Sequence, residues 1–165
     1  MNWFCHMAGV VVLALAGSLG IAAPQEAELS KEQQEKLTQF QATLEAVPQQ
    51  PESADEHLAN ARKGLNTLLS LTNRPAENPT NALATTFVRG INRGAISVPQ
   101  TVGVSKELAK VLSLPRITYQ DSNKFVAAID PLIQGTRLDN ADKMRLYREA
   151  LRIVQTAPTY SYNQK

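Results

Sequence analysis

Nine prolines divide this chain into short segments, and their spacing limits what it can fold into more than any other feature does. A proline inside a helix removes a hydrogen bond and clashes with the preceding turn, so helices usually end near one. The segments between the prolines carry apolar residues three and four positions apart, which is the period of an amphipathic helix. The sequence therefore predicts an all-α fold, a small bundle of five to six short amphipathic helices without disulfides.

Residues able to cap a first helical turn precede most of these segments. Ser30 and Ser53 each stand three positions before a Gln or Glu, which is the spacing of a capping box. Asn78 and Asp139 are the predicted caps of a third and of a last helix, and Gly94 is the predicted end of the third. The predicted core stripes of the first, second and last helices are Leu37, Phe40, Leu44 and Val47; Leu58, Ala61, Leu65, Leu68 and Thr72; and Met144, Tyr147, Leu151 and Val154.

Other segments lack this pattern. Residues 95–104 are apolar and uncharged, and we interpret them as an irregular loop before a short helix capped by Ser105. The pair Asp130-Pro131 suggests a kink or a restart in the helix that follows. Residues 117–119 look extended, and residues 158–165 are expected to form a mobile C-terminal tail.

The first 25 residues have the composition of an export signal. They contain no Asp, Glu, Lys or Arg, and an apolar centre at 10–15 precedes Gly and Ala residues. We predict a signal peptide over 1–22, cleaved after Ala22, and a single helical domain over 23–157. The protein is then exported to the periplasm, the cell surface or the medium. An uncleaved membrane anchor is the alternative, since the apolar run is nearly long enough to span a bilayer.

Cleavage would remove Cys5, the only cysteine of the chain. The remaining domain could then form no disulfide, thiolate metal site or cysteine nucleophile. It keeps one histidine, His57, which we interpret as a surface residue of a first helical turn. One histidine cannot supply the ligands of a typical zinc site, and no Gly-x-Ser-x-Gly elbow occurs. The sequence thus predicts no catalytic residues, no metal and no cofactor.

Charge is distributed unevenly along the chain. Residues 26–56 hold eight acids and two lysines, whereas the rest holds fifteen basic residues and seven acids. Such asymmetry can mark a basic face for an anionic partner. Alternatively, the acidic first helix packs against the basic remainder.

Arg89 and Arg93 are the strongest candidates for a binding site. No acid occurs between Glu77 and Glu107, so these arginines have no local partner, and they adjoin the uncharged segment 95–104. They could form a docking surface, or the segment could be buried while the arginines pair with the first helix. The other candidate residues are Ile96, Val98, Val102, Arg145, Arg148 and Arg152, the last three on the final helix, where Asp142 and Glu149 could neutralise them.

Together these features predict an exported, non-enzymatic binding protein of the cell envelope or surface. Its partner would be another protein or an anionic component of the envelope or surface, and not nucleic acid. Membrane contact would be peripheral or through an uncleaved signal. The alternatives are a small-ligand or lipid carrier with an apolar cavity between helices, and an enzyme using Ser, Asp or Glu chemistry without a local motif.

Overall fold

The structure, a computed structural model, describes residues 28–48, 51–73 and 75–162. The predicted signal and Cys5 lie outside these residues. Within them the fold is all-α, as predicted. Its elements are α1 (Lys31–Glu45), a 3-10 turn (Pro51–Ser53), α2 (Ala54–Ser70), α3 (Glu77–Asn92), α4 (Val98–Leu112), β1 (Ile117–Thr118), α5 (Tyr119–Gln134), α6 (Asn140–Thr156) and β2 (Tyr160–Ser161).

Two of the five predicted helix caps are confirmed as side-chain caps. The Ser30 hydroxyl accepts a hydrogen bond from the Gln33 N–H, and the Gln33 side chain accepts one from the Ser30 N–H. The Asp139 carboxylate caps α6. The Ser53 side chain makes no capping bond, and α3 begins two residues before the predicted start, so that Pro79 lies in its first turn. A proline is tolerated there because its missing N–H would have no partner in the helix.

The predicted loop over 95–104 is wrong, because α4 begins at Val98. A capping box between Ser97 and Gln100 starts this helix, and Pro99 occupies its first turn. Its first two turns carry no charge because they are partly buried, with Thr101 and Val104 fully enclosed. Ser105, the predicted cap, is a buried residue inside the helix.

Two further predictions also fail for geometric reasons. Helix α5 runs through Pro131 without a restart. Pro131 and Ala127 are both exposed, so water can reach the carbonyl that the proline leaves without a donor. In α6 the buried stripe is rotated from the predicted one. Met144 is 58% exposed, and the buried residues are Leu146, Ala150, Ile153 and Val154.

The helices surround a single core. In space their order is α1, α2, α3, α6, α5, α4, and α4 closes the ring against α1. Helix α4 also contacts α2 and α6, which makes it the innermost element. Its Leu108 and Leu112 are fully buried, as are Phe40 of α1 and Phe87 of α3. The fold is therefore a bundle built around one apolar helix.

Consecutive helices alternate in direction, which gives the bundle two distinct ends. The lower end holds the start of α1 and the end of α4, joined by a 2.5 Å hydrogen bond from Gln33 Nε2 to Ser113 Oγ. The upper end holds the α1–α2, α3–α4 and α5–α6 connections. The last two are joined by the Arg137 N–H, which donates to the Ala95 carbonyl at 2.8 Å.

The C-terminal residues that the structure describes do not leave the bundle. Tyr160 and Ser161 form β2, which pairs in parallel with β1 at the lower end, Tyr160 beside Ile117 and Ser161 beside Thr118. The extended segment predicted at 117–119 is thus a strand at its first two residues. The mobility predicted for residues 158–165 stays a prediction, and residues 163–165 lie outside the described part.

Gly94 ends α3 as predicted, with a φ of +64°. Its N–H donates to the Ile91 carbonyl at 2.9 Å, and the Ala95 N–H donates to the Gly90 carbonyl at 2.9 Å. This pair of bonds is a Schellman motif, which satisfies the last carbonyls of a helix. The turn directs the chain from α3 into α4 and fixes the position of Arg93.

We expect Gly94→Ala to lower the free energy of unfolding by about 1 kcal/mol, because an alanine is strained in the left-handed region. A Cβ at this position would meet nothing within 4 Å, so the loss would come from the backbone alone. Gly94→Asn is the control and should lose less, because asparagine tolerates this conformation. Urea unfolding measures both, and an equal loss would contradict the explanation.

Candidate functional site

A cleft of about 260 Å³ opens at the upper end of the bundle, between the end of α3 and the start of α6. The connections before α4 and before α6 complete its wall. Four arginines and two aspartates line it, which leaves an excess of positive charge. These residues are Arg89, Arg93, Arg137, Arg145, Asp139 and Asp142.

Asp142 is shared by two arginines from different helices. Arg93 Nη1 lies 3.8 Å from Asp142 Oδ2, and Arg145 Nη1 lies 3.4 Å from Asp142 Oδ1. The arginine side chains are 69% and 56% exposed, respectively. Ion pairs this exposed are weak, so both guanidinium groups keep donors for another acceptor. The Asp139 carboxylate is already engaged, because it accepts the Asp142 N–H at 2.7 Å.

A second carboxylate, that of Glu149, lies deeper in the seam between α3 and α6. The Thr86 hydroxyl donates to it at 2.6 Å. Burial raises the pKa of Glu149 above its ordinary value, and this outweighs the lowering by the Thr86 hydrogen bond and by the charges of Arg145, Arg148 and Arg89. The Glu149 carboxyl group therefore holds its proton more tightly than an exposed glutamate does, although the neighbouring arginines oppose this.

Two hydrogen bonds join α5 and α6, the helices on either side of the connection that carries Arg137. Lys143 Nζ donates to the Gln134 carbonyl at 3.2 Å. The Tyr147 hydroxyl donates to the Asp130 carboxylate, and burial together with this hydrogen bond raises the pKa of Tyr147 to about 12. Because α5 and α6 are tied together here, the cleft wall between them is preorganised for a ligand.

The structure brings together most of the predicted arginines. Arg89, Arg93 and Arg145 line one cleft, and Arg148 acts on Glu149 beside it. Arg152 is exposed on α6 but does not line the cleft. The alternative in which the arginines pair with the first helix is not what the structure shows. Helix α1 packs against α2 and α4, and no ion pair in the described residues joins it to α3 or α6.

The apolar half of the predicted docking surface belongs to the core instead. Ile96 is 4% exposed, and its Cγ2 would lie 2.4 Å from a Cβ at Gly90. Val98 and Val102 are half-buried against the same core. The buried positions of this segment are uncharged because they face the core, whereas Ser97 and Pro99 are exposed.

His57 is also corrected, since it is 4% exposed and not a surface residue. It shares a helical face with Ala61, Leu65 and Leu68, at spacings of four, four and three. That face of α2 is turned to the core. The position of the histidine in the stripe predicts its burial better than its place in the first turn does.

Sequence reasoning missed Arg137, Asp139 and Thr86 as members of the site. Arg137 follows α5 in a connection, and its N–H bond to Ala95 crosses between separate parts of the sequence. Thr86 and Glu149 are likewise distant in sequence. A fourth arginine, six residues after Pro131, was a visible signal, but only the fold shows that it lines the cleft.

A second cleft, of about 470 Å³, lies at the lower end between the start of α1 and the ends of α2 and α4. Its Gln33 and Asn73 side chains bond to Ser113 and to the Leu112 and Leu114 carbonyls. It is open and largely polar, which does not favour a lipid carrier.

In the described residues no three His, Cys, Asp or Glu side chains could hold a metal ion together. No helix there is long and apolar enough to cross a membrane.

Comparison with family models, curated proteins and solved structures finds no match for this chain.

We expect the free energy of unfolding to fall as the pH rises above the ordinary glutamate value of 4.5, because the native Glu149 holds its proton more tightly than the unfolded chain does. Glu149→Gln should flatten this part of the pH profile, and its amide oxygen can still accept from Thr86. The control is Glu35→Gln at an exposed site on α1. Unfolding in urea from pH 4 to pH 8 gives the profiles, and an unchanged slope in Glu149→Gln would contradict the assignment.

Proposed function

We propose that this chain is a binding protein whose arginine-lined cleft receives the carboxylates of an acidic segment of a partner protein. The observation that carries the proposal is the convergence of four arginines from α3, α6 and the connection before α6 on one concave surface. Two aspartates offset only part of that charge. An excess of positive charge in a cleft attracts anions and concentrates them.

The arrangement around Asp142 supports carboxylates as the ligand. Guanidinium groups of Arg93 and Arg145 approach one carboxylate from two helices. Arginine presents planar donors that match a carboxylate, and it keeps its proton at physiological pH. Such a lining favours binding over proton transfer, which supports a non-enzymatic role.

The size of the cleft supports a protein as the partner. Pockets that enclose a whole small ligand usually measure about 300–1,000 Å³. This cleft is smaller and opens at an exposed end of the bundle, so it suits one or two side chains of a larger molecule. The export that we propose rests separately on residues 1–22 of the sequence.

We expect wild-type protein to bind a fluorescein-labelled decaglutamate peptide, and Arg89→Glu/Arg93→Glu to weaken this binding about tenfold or more, because two attractive charges become repulsive. The control is Lys106→Glu/Lys124→Glu. It changes the net charge equally at two exposed positions outside the cleft. Fluorescence anisotropy measures the affinities, and circular dichroism verifies that both variants fold.

An equal loss in the two variants would mean that only net charge matters, and the cleft would lose its role. Vesicles with about one third anionic lipid are the second probe. Binding to these vesicles without binding to the peptide would contradict a protein partner and indicate a lipid surface.

The export proposal has its own test. We expect N-terminal sequencing of the protein purified from the cells that make it to begin at Ala23, because signal cleavage after Ala22 leaves small residues at both recognition positions. A recombinant chain beginning at Ala23 is the mass standard. A protein that keeps Met1 and sediments with membranes would support the anchor instead.

A further inference from the structure

We infer that the acidic segment received by the cleft belongs to a second copy of this chain, and that two copies dock through their upper ends. This inference rests on the proposed function of the cleft and names its partner. Each copy would place an acidic corner of its upper end on the arginine cleft of the other.

The acidic corner consists of Glu45, Glu52, Asp55 and Glu56. They belong to the end of α1, the 3-10 turn and the first turn of α2, and all four are exposed. No lysine or arginine occurs from residue 37 to residue 61. The corner therefore carries four negative charges without a lysine or arginine nearby in sequence.

The acidic corner and the arginine cleft lie at the same end of the bundle. Arg62 of α2 donates to the Thr85 hydroxyl of α3 at 3.2 Å, which fixes the register of these antiparallel neighbours. The part of α2 that lies above this contact begins at Ala54 and includes Asp55. The part of α3 that lies above it includes Arg89 and ends beside Arg93. The two charged regions thus lie at similar heights at the upper end of the bundle.

The two regions do not neutralise each other within one chain. In the described residues, the ion pairs of the cleft arginines join α3 and α6 to Asp142. No ion pair there involves the acidic corner, whose Glu45 accepts only an amide hydrogen bond from Gln41 at 2.7 Å. Both regions consequently direct their charge outward, where it is available to another molecule.

The start of α4 supplies an uncharged surface at the same end. Residues 95–105 contain no charged side chain. Ser97 and Pro99 are exposed, and Val98 is half-buried. The connection before α4 lines the arginine cleft through Ala95, so this uncharged surface adjoins the basic region. An uncharged centre flanked by charges is the usual arrangement of a protein interface.

A two-fold axis satisfies both charged regions at once. If the axis runs along the boundary between them, rotation places each acidic corner on the partner's cleft. Such a contact is closed and self-complementary, and every interaction in it occurs twice. Two copies are therefore enough to pair all of these charges, and no open-ended filament is needed.

The test uses two variants, neither of which should form a stable homodimer, but which should form a heterodimer when they are mixed. Arg89→Glu/Arg93→Glu makes both regions of the upper end acidic, and Glu45→Lys/Glu52→Lys/Glu56→Lys makes both basic. We expect wild type to dimerise in a concentration series by analytical ultracentrifugation in about 0.02 M NaCl, and less in about 0.5 M NaCl. Each variant alone should dimerise at least about tenfold more weakly, and an equimolar mixture should form a heterodimer.

Lys106→Glu/Lys124→Glu is again the control and should dimerise as wild type does. Wild type that stays monomeric at millimolar concentration in low salt would overturn the inference, as would a mixture that fails to associate. If such a monomer still binds decaglutamate through the cleft, the proposed function stands without the dimer. Loss of both dimer and peptide binding would overturn the cleft as a carboxylate site.

Discussion

The burial of α4 is the constraint on which the rest of the structure depends. This helix contacts α1, α2, α5 and α6, so its first turns cannot carry a charge without losing hydration. The chain meets this requirement with residues 95–105, which are uncharged. Its charged residues are consequently displaced to the outer helices. The arginines gather on the α3–α6 side, and the acids gather where α1 meets α2.

Much of the fold could be predicted from the sequence because its signals are local. Capping residues and apolar spacing indicate an all-α bundle, and Gly94 ends α3 as its type suggests. The errors arose where burial overrides local pattern. An apolar stretch without charge looks the same in a loop and in an innermost helix, so the start of α4 was misassigned. Pro131 is accommodated because it lies on an exposed face, which no local pattern reveals.

The candidate site was only partly predictable, for the same reason. Arg89 and Arg93 were recognisable because no acid occurs between Glu77 and Glu107. Asp142, which pairs with Arg93, comes from a helix about fifty residues later, and Arg137 comes from a connection. The contact between Thr86 and Glu149 also spans two helices. Sequence patterns identify charges without a local partner, whereas the fold determines which residues distant in sequence pair with them.

The short parallel pair of β1 and β2 has a practical consequence. It returns the chain to the lower end after α6, and Tyr162 packs edge-on against Tyr119 there at 6.0 Å between ring centroids. A label or fusion partner joined beyond this point starts on the side of the molecule away from the arginines. Immobilisation through the C-terminus would accordingly orient every molecule with its cleft toward the solution.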